Sequence, residues 1–319
     1  MIRLRKHMQV LGILLALVYA LISSCAYLEG KDLFRAASDG DLSRVKVLIA
    51  ARADVNAKAA KGDTAMIMAS HNGHQEVVRE LIAANADVNA KADDGLTALM
   101  AASFNGYQGV VRALITADAD VNAKKSDGFT ALIMASQEGN LRVVQALIAT
   151  NADVNAKADD GVTALFMASQ NGHQEVVKAL IAANADVNAK RTDGVTALIM
   201  ASKNGYQGVV QALIAANADV NAKAAKGDTA IIMASQNGHQ EVVQELIAAK
   251  ADVNARAGYG VTALMASSFN GYEGVVQALI AANADVNAKE DTGETALMLA
   301  SLKGYQEIVQ LLKKAGAVE

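Results

Sequence analysis

The residues able to do chemistry are few. The one cysteine, Cys25, follows Leu21-Ile22-Ser23-Ser24. Its thiol is a candidate for acylation, and with no second Cys it can form no intramolecular disulfide. The five histidines are His7, His71, His74, His173 and His239. Three of them follow a recurring glycine, in a slot filled elsewhere by Tyr107, Tyr206, Tyr272 and Tyr305. His173 and His239 lie two such slots apart, roughly 20 Å by helix spacing, which is too far to share a metal. His71 and His74 are near neighbours, but two His without a Cys make a weak metal site, and packing in a loop is the simpler role. Ser70, Ser136, Ser169 and Ser202 each replace a small residue inside an expected helix, where packing suffices. No G-x-x-x-x-G-K-[ST] phosphate loop occurs. The chain is therefore expected to have no catalytic residues, no metal site and no cofactor, and not to be an enzyme.

The setting of Cys25 carries more information. Arg3, Arg5 and Lys6 precede an apolar run from Met8 to Ile22, interrupted by Gln9. That run is short for a membrane span and suits the core of a signal peptide. Leu21-Ile22-Ser23-Ser24-Cys25 then resembles the bacterial lipobox, in which the Cys is lipidated and becomes the mature N-terminus. Two alternatives stay open: cleavage after Ala26 as an ordinary signal, and an uncleaved anchor. On the lipobox reading residues 1–24 are a signal peptide and 25–31 a short linker. Removing 1–24 takes three cations and no acid, so the net charge moves from −4 to −7. Nucleic-acid binders show a basic face, which this balance does not favour. The expected location is the bacterial cell envelope, lipid-anchored on the periplasmic face of either membrane. The absence of Asp at position 26 leans toward the outer one.

Behind the linker the chain repeats itself. A D-V-N triplet begins at Asp54, Asp87, Asp120, Asp153, Asp186, Asp219, Asp252 and Asp285. A T-A dipeptide begins at Thr64 and recurs at the same interval of 33 to Thr295, and a loop glycine recurs from Gly73 to Gly304. A fixed period of this size means stacked supersecondary units rather than one globular core. Within a unit, Thr97 suits an N-cap. Ala98 to Ser103 is a short apolar helix, which Asn105-Gly106 ends. Val110, Val111, Leu114 and Ile115 line the face of a second helix. Its end is mostly Asn, as at Asn85, Asn151, Asn184, Asn217 and Asn283, the residue after Gly that best tolerates a left-handed backbone. The D-V-N and Asp127-Gly128 segments are turn chemistry.

The pattern G-x-T-A-L-x-x-A-S-x-N-G-x-x-x-V-V-x-x-L-I-x-x-N-A-D-V-N-A-K, carried over roughly residues 32–316, resembles the ankyrin repeat. The resemblance implies an all-α solenoid of stacked helix–turn–helix units with projecting loops or hairpins. Two departures are consistent. The family's Pro after the capping Thr is Ala (Ala65, Ala98, Ala131), and the chain has no Pro. The family's His two residues further on is apolar, as at Ile67, Met100 and Phe166. Residues 32–53 make a charged N-terminal cap, and eight repeats run from 54 to 317. Helix packing distances imply a rod of roughly 70–90 Å.

Function follows from the class. The leading expectation is a membrane-tethered module that binds a protein partner through its concave loop and inner-helix face, as a monomeric array. The alternative is a passive spacer or scaffold of the envelope. The residue before each capping Thr projects toward the concave side in the ankyrin family. Here that position reads Asp63, Leu96, Phe129, Val162, Val195, Asp228, Val261 and Glu294. Leu96, Phe129, Val162 and Val195 thus form an apolar row, which Phe104 extends. Tyr259, Val261 and Phe269 form a lesser patch. Exposed apolar groups in a row mark an interaction site; the opposing expectation is that they fold back onto neighbouring loops. A ladder of cations, Lys58, Lys91 and onward to Arg256 and Lys289, is largely cancelled by nearby Asp residues. The Tyr/His alternation travels with Gly/Glu two residues on, as in Tyr107 with Gly109 and His74 with Glu76.

Overall fold

The computed structural model describes residues 32–318. Cys25, the signal segment 1–24 and the linker lie outside the described residues. Contacts divide the chain into two compact units, one up to Ala135 with Ala149–Ala152, the other Ser136–Ile148 with Asp153–Glu319.

Helices come in pairs. Helix α1 covers 32–39 and α2 covers Leu42–Ala50. The next pairs are α3 (Ala65–His71) with α4 (Gln75–Ala83), α5 (Ala98–Phe104) with α6 (Gln108–Thr116), and α7 (Ala131–Gln137) with α8 (Leu141–Ala149). In the second unit α9 (Ala164–Gln170) pairs with α10 (Gln174–Ala182), and α11 (Ala197–Lys203) with α12 (Gln207–Ala215). Then come α13 (Ala230–Gln236) with α14 (Gln240–Ala248), α15 (Ala263–Asn270) with α16 (Glu273–Ala281), and α17 (Ala296–Lys303) with α18 (Gln306–Lys314). Among the described residues there is no strand, only an isolated antiparallel bridge between Lys190 and Thr196.

From α3 onward each first helix begins one residue after its Thr, because the Thr hydroxyl accepts a bond from an amide of the first turn. Thr97 Oγ1 takes Met100 N at 3.3 Å and Thr196 Oγ1 takes Ile199 N at 3.3 Å. Thr229 is the exception: its hydroxyl is buried and has no partner. Each second helix ends at a left-handed residue. Asn85, Asn184 and Asn217 stand at φ 58, 63 and 63, as the Asn pattern predicts, while Lys250 and Arg52 hold the same conformation at φ 64 and 66.

Each pair is too small to bury its own apolar face, so the pairs stack. In the first unit α3 lies on α5, and α2, α4 and α6 follow one another. In the second, α9, α11, α13, α15 and α17 form one layer, and α10, α12, α14, α16 and α18 the other. Leu81, Leu114, Leu180, Leu213, Leu246 and Leu279 are fully buried between them. Two polar ladders run alongside. Asn56, Asn155 and Asn188 accept, through Oδ1, the amides of Asp87, Asp186 and Asp219 one repeat on, each at 2.8 Å. At the loop tips, backbone bonds link successive hairpins, as Ser126 N to Asp94 O and Thr192 N to Asp160 O, both 2.8 Å.

The structure also explains the Tyr/His alternation. The ring in this slot lies on the loop glycine of the preceding repeat: a Cβ at Gly73 would stand 2.8 Å from the Tyr107 ring, and one at Gly40 would stand 2.6 Å from His74. In the Tyr107, Tyr206 and Tyr272 repeats, the Gln after the preceding His reaches over the second helix. A Cβ at Gly109 would meet the Gln75 amide at 1.8 Å, one at Gly208 would meet Gln174 at 2.4 Å, and one at Gly274 would meet Gln240 at 2.0 Å. Gly follows Tyr107, Tyr206 and Tyr272 because the preceding repeat's Gln needs the space; Tyr305, preceded by a repeat with Glu273 in that place, carries Glu307.

Candidate interaction cleft

The loop before α15 differs from its counterparts. In four repeats an Asp at the turn accepts the amide two residues on, as Asp94 from Leu96, Asp160 from Val162 and Asp193 from Val195, while Lys61, Lys226 and Thr292 hold the place in three others. At this place the chain has Tyr259, which makes no such bond. Gly258–Gly260 is a 3-10 turn, and Tyr259 stands inside it at φ 60. For a bulky side chain that backbone costs on the order of 1 kcal/mol or more. The residue is 80% exposed, and its backbone carbonyl accepts Asp291 N at 2.8 Å from the next loop.

Tyr259 rims a cleft of about 410 Å³ between the loop tips and the first-helix layer of the second unit. Ile232 of α13, Met265 and Phe269 of α15 and Leu299 of α17 give it an apolar lining, with Val261 from the loop. Phe269 is 39% exposed. Its face carries a cation already, since Lys303 Nζ sits 4.2 Å from the ring centroid. The rim is mostly anionic: Asp228, Glu290 and Glu294 against Lys226. Hydrogen bonds from the Thr292 hydroxyl and the 292 and 294 amides hold the Glu290 carboxyl below the usual carboxylate range.

The structure brings Tyr259, Val261 and Phe269 to one site. It does not support the longer row as a continuous exposed stripe. Val162 is 3% exposed, covered by its neighbours, so it presents no docking surface. Leu96, Phe104, Phe129 and Val195 are half-buried. The loops there are tied down by ion pairs: Lys125 Nζ lies 3.0 Å from Asp127 and 3.5 Å from Asp94, and Arg191 pairs with Asp193 beneath a cation–π contact to Phe166. Burial opposes ionisation of Asp127, yet the Lys125 ammonium and the Phe129 amide hold its carboxyl below the ordinary value. The Arg191 guanidinium does the same for Asp193.

The remaining sequence candidates are used in packing. His74 Nε2 lies 3.0 Å from Ser38 O and His239 Nε2 lies 2.9 Å from Lys203 O, bonds from one repeat to the last. Ser70, Ser136, Ser169 and Ser202 are fully buried, out of reach of any substrate. Lys58 and Arg256 donate to the carbonyls of Lys91 and Lys289 in the adjacent loop. Among the described residues, no group of three or more His, Cys, Asp or Glu is arranged to hold a metal. Sequence reasoning named Tyr259, Val261 and Phe269 but missed the contributions of Lys226, Ile232, Glu290 and Leu299 to the cleft. Its signal was the Tyr at a turn position held by Asp in four repeats.

Comparison with curated proteins finds no match. The family model described as "Ankyrin repeats (3 copies)" matches residues 33–125, 119–191, 183–257 and 252–318. With its period, its capping Thr and its stacked helix pairs all accounted for, the chain belongs to the ankyrin-repeat family.

Proposed function

We propose that this chain is a protein-binding module held at a bacterial membrane by an acylated Cys25, docking its partner across the loop and first-helix face at the Tyr259 cleft. Mediating protein–protein contact is the general role of ankyrin repeats, which are typically not enzymes. The observation that carries the reading is Tyr259 itself: an aromatic ring held in a costly backbone conformation and left 80% exposed beside an apolar cleft. Lys250 and Arg52 hold a similar backbone, so it is the exposed ring beside the apolar cleft that supports the reading, since exposed apolar surface marks an interaction site. The membrane part rests on the Ile22-Ser23-Ser24-Cys25 match and on the charged and apolar segments before it. Among the described residues no helix is long and apolar enough to cross a membrane.

Two measurements test it. Metabolic labelling with a palmitate analogue is expected to mark the wild type and not Cys25→Ser; label that survives the substitution ends the lipid reading. Affinity capture with the full chain from detergent-solubilised membranes is expected to recover one stoichiometric partner. The same capture with Phe269→Ser is expected to lose it while the circular-dichroism melt holds. Recovery of no partner by the wild type makes the array a passive spacer of the envelope instead.

A further inference from the structure

The cleft also carries information about what it binds. The position before the capping Thr reads Asp228, Val261 and Glu294 in three successive repeats, and all three line the cleft. An apolar side chain is thus flanked on each side by a carboxylate. Neither Asp228 nor Glu294 has an ion pair or a side-chain hydrogen bond among the described residues. Among the loop acids, Asp94 and Asp127 share Lys125 and Asp193 has Arg191, whereas Asp63, at the position equivalent to Asp228, also has no ion pair but lines no such cleft. Lys226 lines the same cleft but pairs with neither acid. The floor between the carboxylates is apolar and aromatic, and the Phe269 ring already holds an ammonium on its face. An aromatic face attracts cations through its quadrupole, and more so where water is thinned.

Resting on the protein-binding reading above, we propose that the cleft takes a cationic segment of the partner polypeptide: an apolar side chain seated on Val261 and Phe269, with Lys or Arg on either side of it facing Asp228 and Glu294. The stem of a Lys or Arg packs along apolar surface while its head reaches a charge. Such a segment satisfies the floor and the rim together. An acidic segment, or a phosphate-bearing ligand, meets the three carboxylates Asp228, Glu290 and Glu294 against the Lys226 and Lys303 ammoniums and is the weaker ligand. Tyr259 supplies the second ring, projecting at the edge where a flanking cation enters.

The test uses the full chain in detergent and a fluorescein-labelled synthetic peptide library, in which one fixed Leu is flanked by degenerate positions. The bound pool is expected to be enriched in Lys and Arg over Asp and Glu by about threefold per flank, the size an exposed charge pair gives. Asp228→Asn with Glu294→Gln is expected to abolish that enrichment while total Leu-dependent binding persists. Tyr259→Gly relieves the backbone strain and removes the ring, so it is expected to reduce binding without lowering the melt. Enrichment of acidic residues, no charge preference, or a basic preference that survives the double substitution overturns the proposal. If partner capture from membranes still succeeds in those cases, the binding-module reading stands without it; if both fail, both fall. Sedimentation of the chain alone is expected to give a monomer. A dimer that Tyr259→Gly dissociates would assign the cleft to a second copy and overturn the proposal too.

Discussion

Lys250 stands at φ 64 at the end of α14, where the repeat 54–86, which otherwise differs from 219–251 only at Met66/Ile231, His71/Gln236 and Arg79/Gln244, has Asn85 at φ 58. A long side chain is poorly suited to that conformation, so Lys250→Gly is expected to raise stability by about 0.5–1 kcal/mol in urea melts. A loss would mean that the Lys250 side chain makes a contact that outweighs the strain. Two glycines make a second comparison. Gly172 and Gly304 share φ 76 and 80, but a Cβ at Gly172 would meet the Tyr206 ring at 2.7 Å, while nothing lies within 4 Å of one at Gly304. Gly172→Ala is expected to cost about 1–3 kcal/mol more than Gly304→Ala, the difference being the displaced ring. Equal costs would show that the ring moves freely. At this scale the sequence was legible where a residue's own backbone preference decides, as at the Asn ends. It was not legible where a neighbour decides. Val162 and Val195 occupy the same position in adjacent repeats, yet only Val162 is covered.

The short first helices depend on their caps, since a seven-residue helix has few internal bonds to spare. Thr196→Ala is expected to cost about 1 kcal/mol, whereas Thr229→Ala, whose hydroxyl caps nothing, is expected to cost less. Matching losses in thermal melts would indicate a packing role for the methyl group instead. The loops behave differently. Asp193 is held below its ordinary value by Arg191, so its folded form is the more acidic. That contribution is complete above the unfolded value near pH 4 and disappears as pH falls through the lower folded value. Asp193→Asn is expected to show a smaller loss of stability between pH 5 and strong acid than the wild type. Its side chain is 43% exposed, so the effect is small. The elements themselves were legible, because T-A fixed each helix start and glycine each break. The reason for the Tyr–Gly pairing was not, because it lies in Gln75 reaching over from another repeat.

In a stacked array, stability is close to a sum of repeat and interface contributions. Deleting Asp285–Glu319 removes α17 and α18 and uncovers α15 and α16, including the fully buried Met265 and Leu279. The truncated chain is expected to melt lower and to aggregate; an unchanged melt in a soluble monomer would contradict interface coupling. The same deletion takes Glu290, Glu294 and Leu299 from the cleft and so is expected to lose the partner as well. The architecture was legible from the 33-residue period alone, since every interval is the same. The cleft was legible in part: Tyr259, Val261 and Phe269 stand out in sequence, whereas Lys226, Glu290 and Leu299 join them only when three repeats stack.

The asparagine ladder gives the array an internal gauge. The amides of Asp87, Asp120, Asp186, Asp219, Asp252 and Asp285 lie outside every helix, and each is held by the side chain of an Asn in the repeat before. Such an amide exchanges its hydrogen for deuterium when two neighbours part, whether or not either helix pair unravels. Comparing these six rates with those of helix amides such as Leu213 would separate sliding apart from melting, junction by junction. A ligand bridging Asp228 and Glu294 should then slow exchange at Asp252 and Asp285 and leave Asp87 untouched.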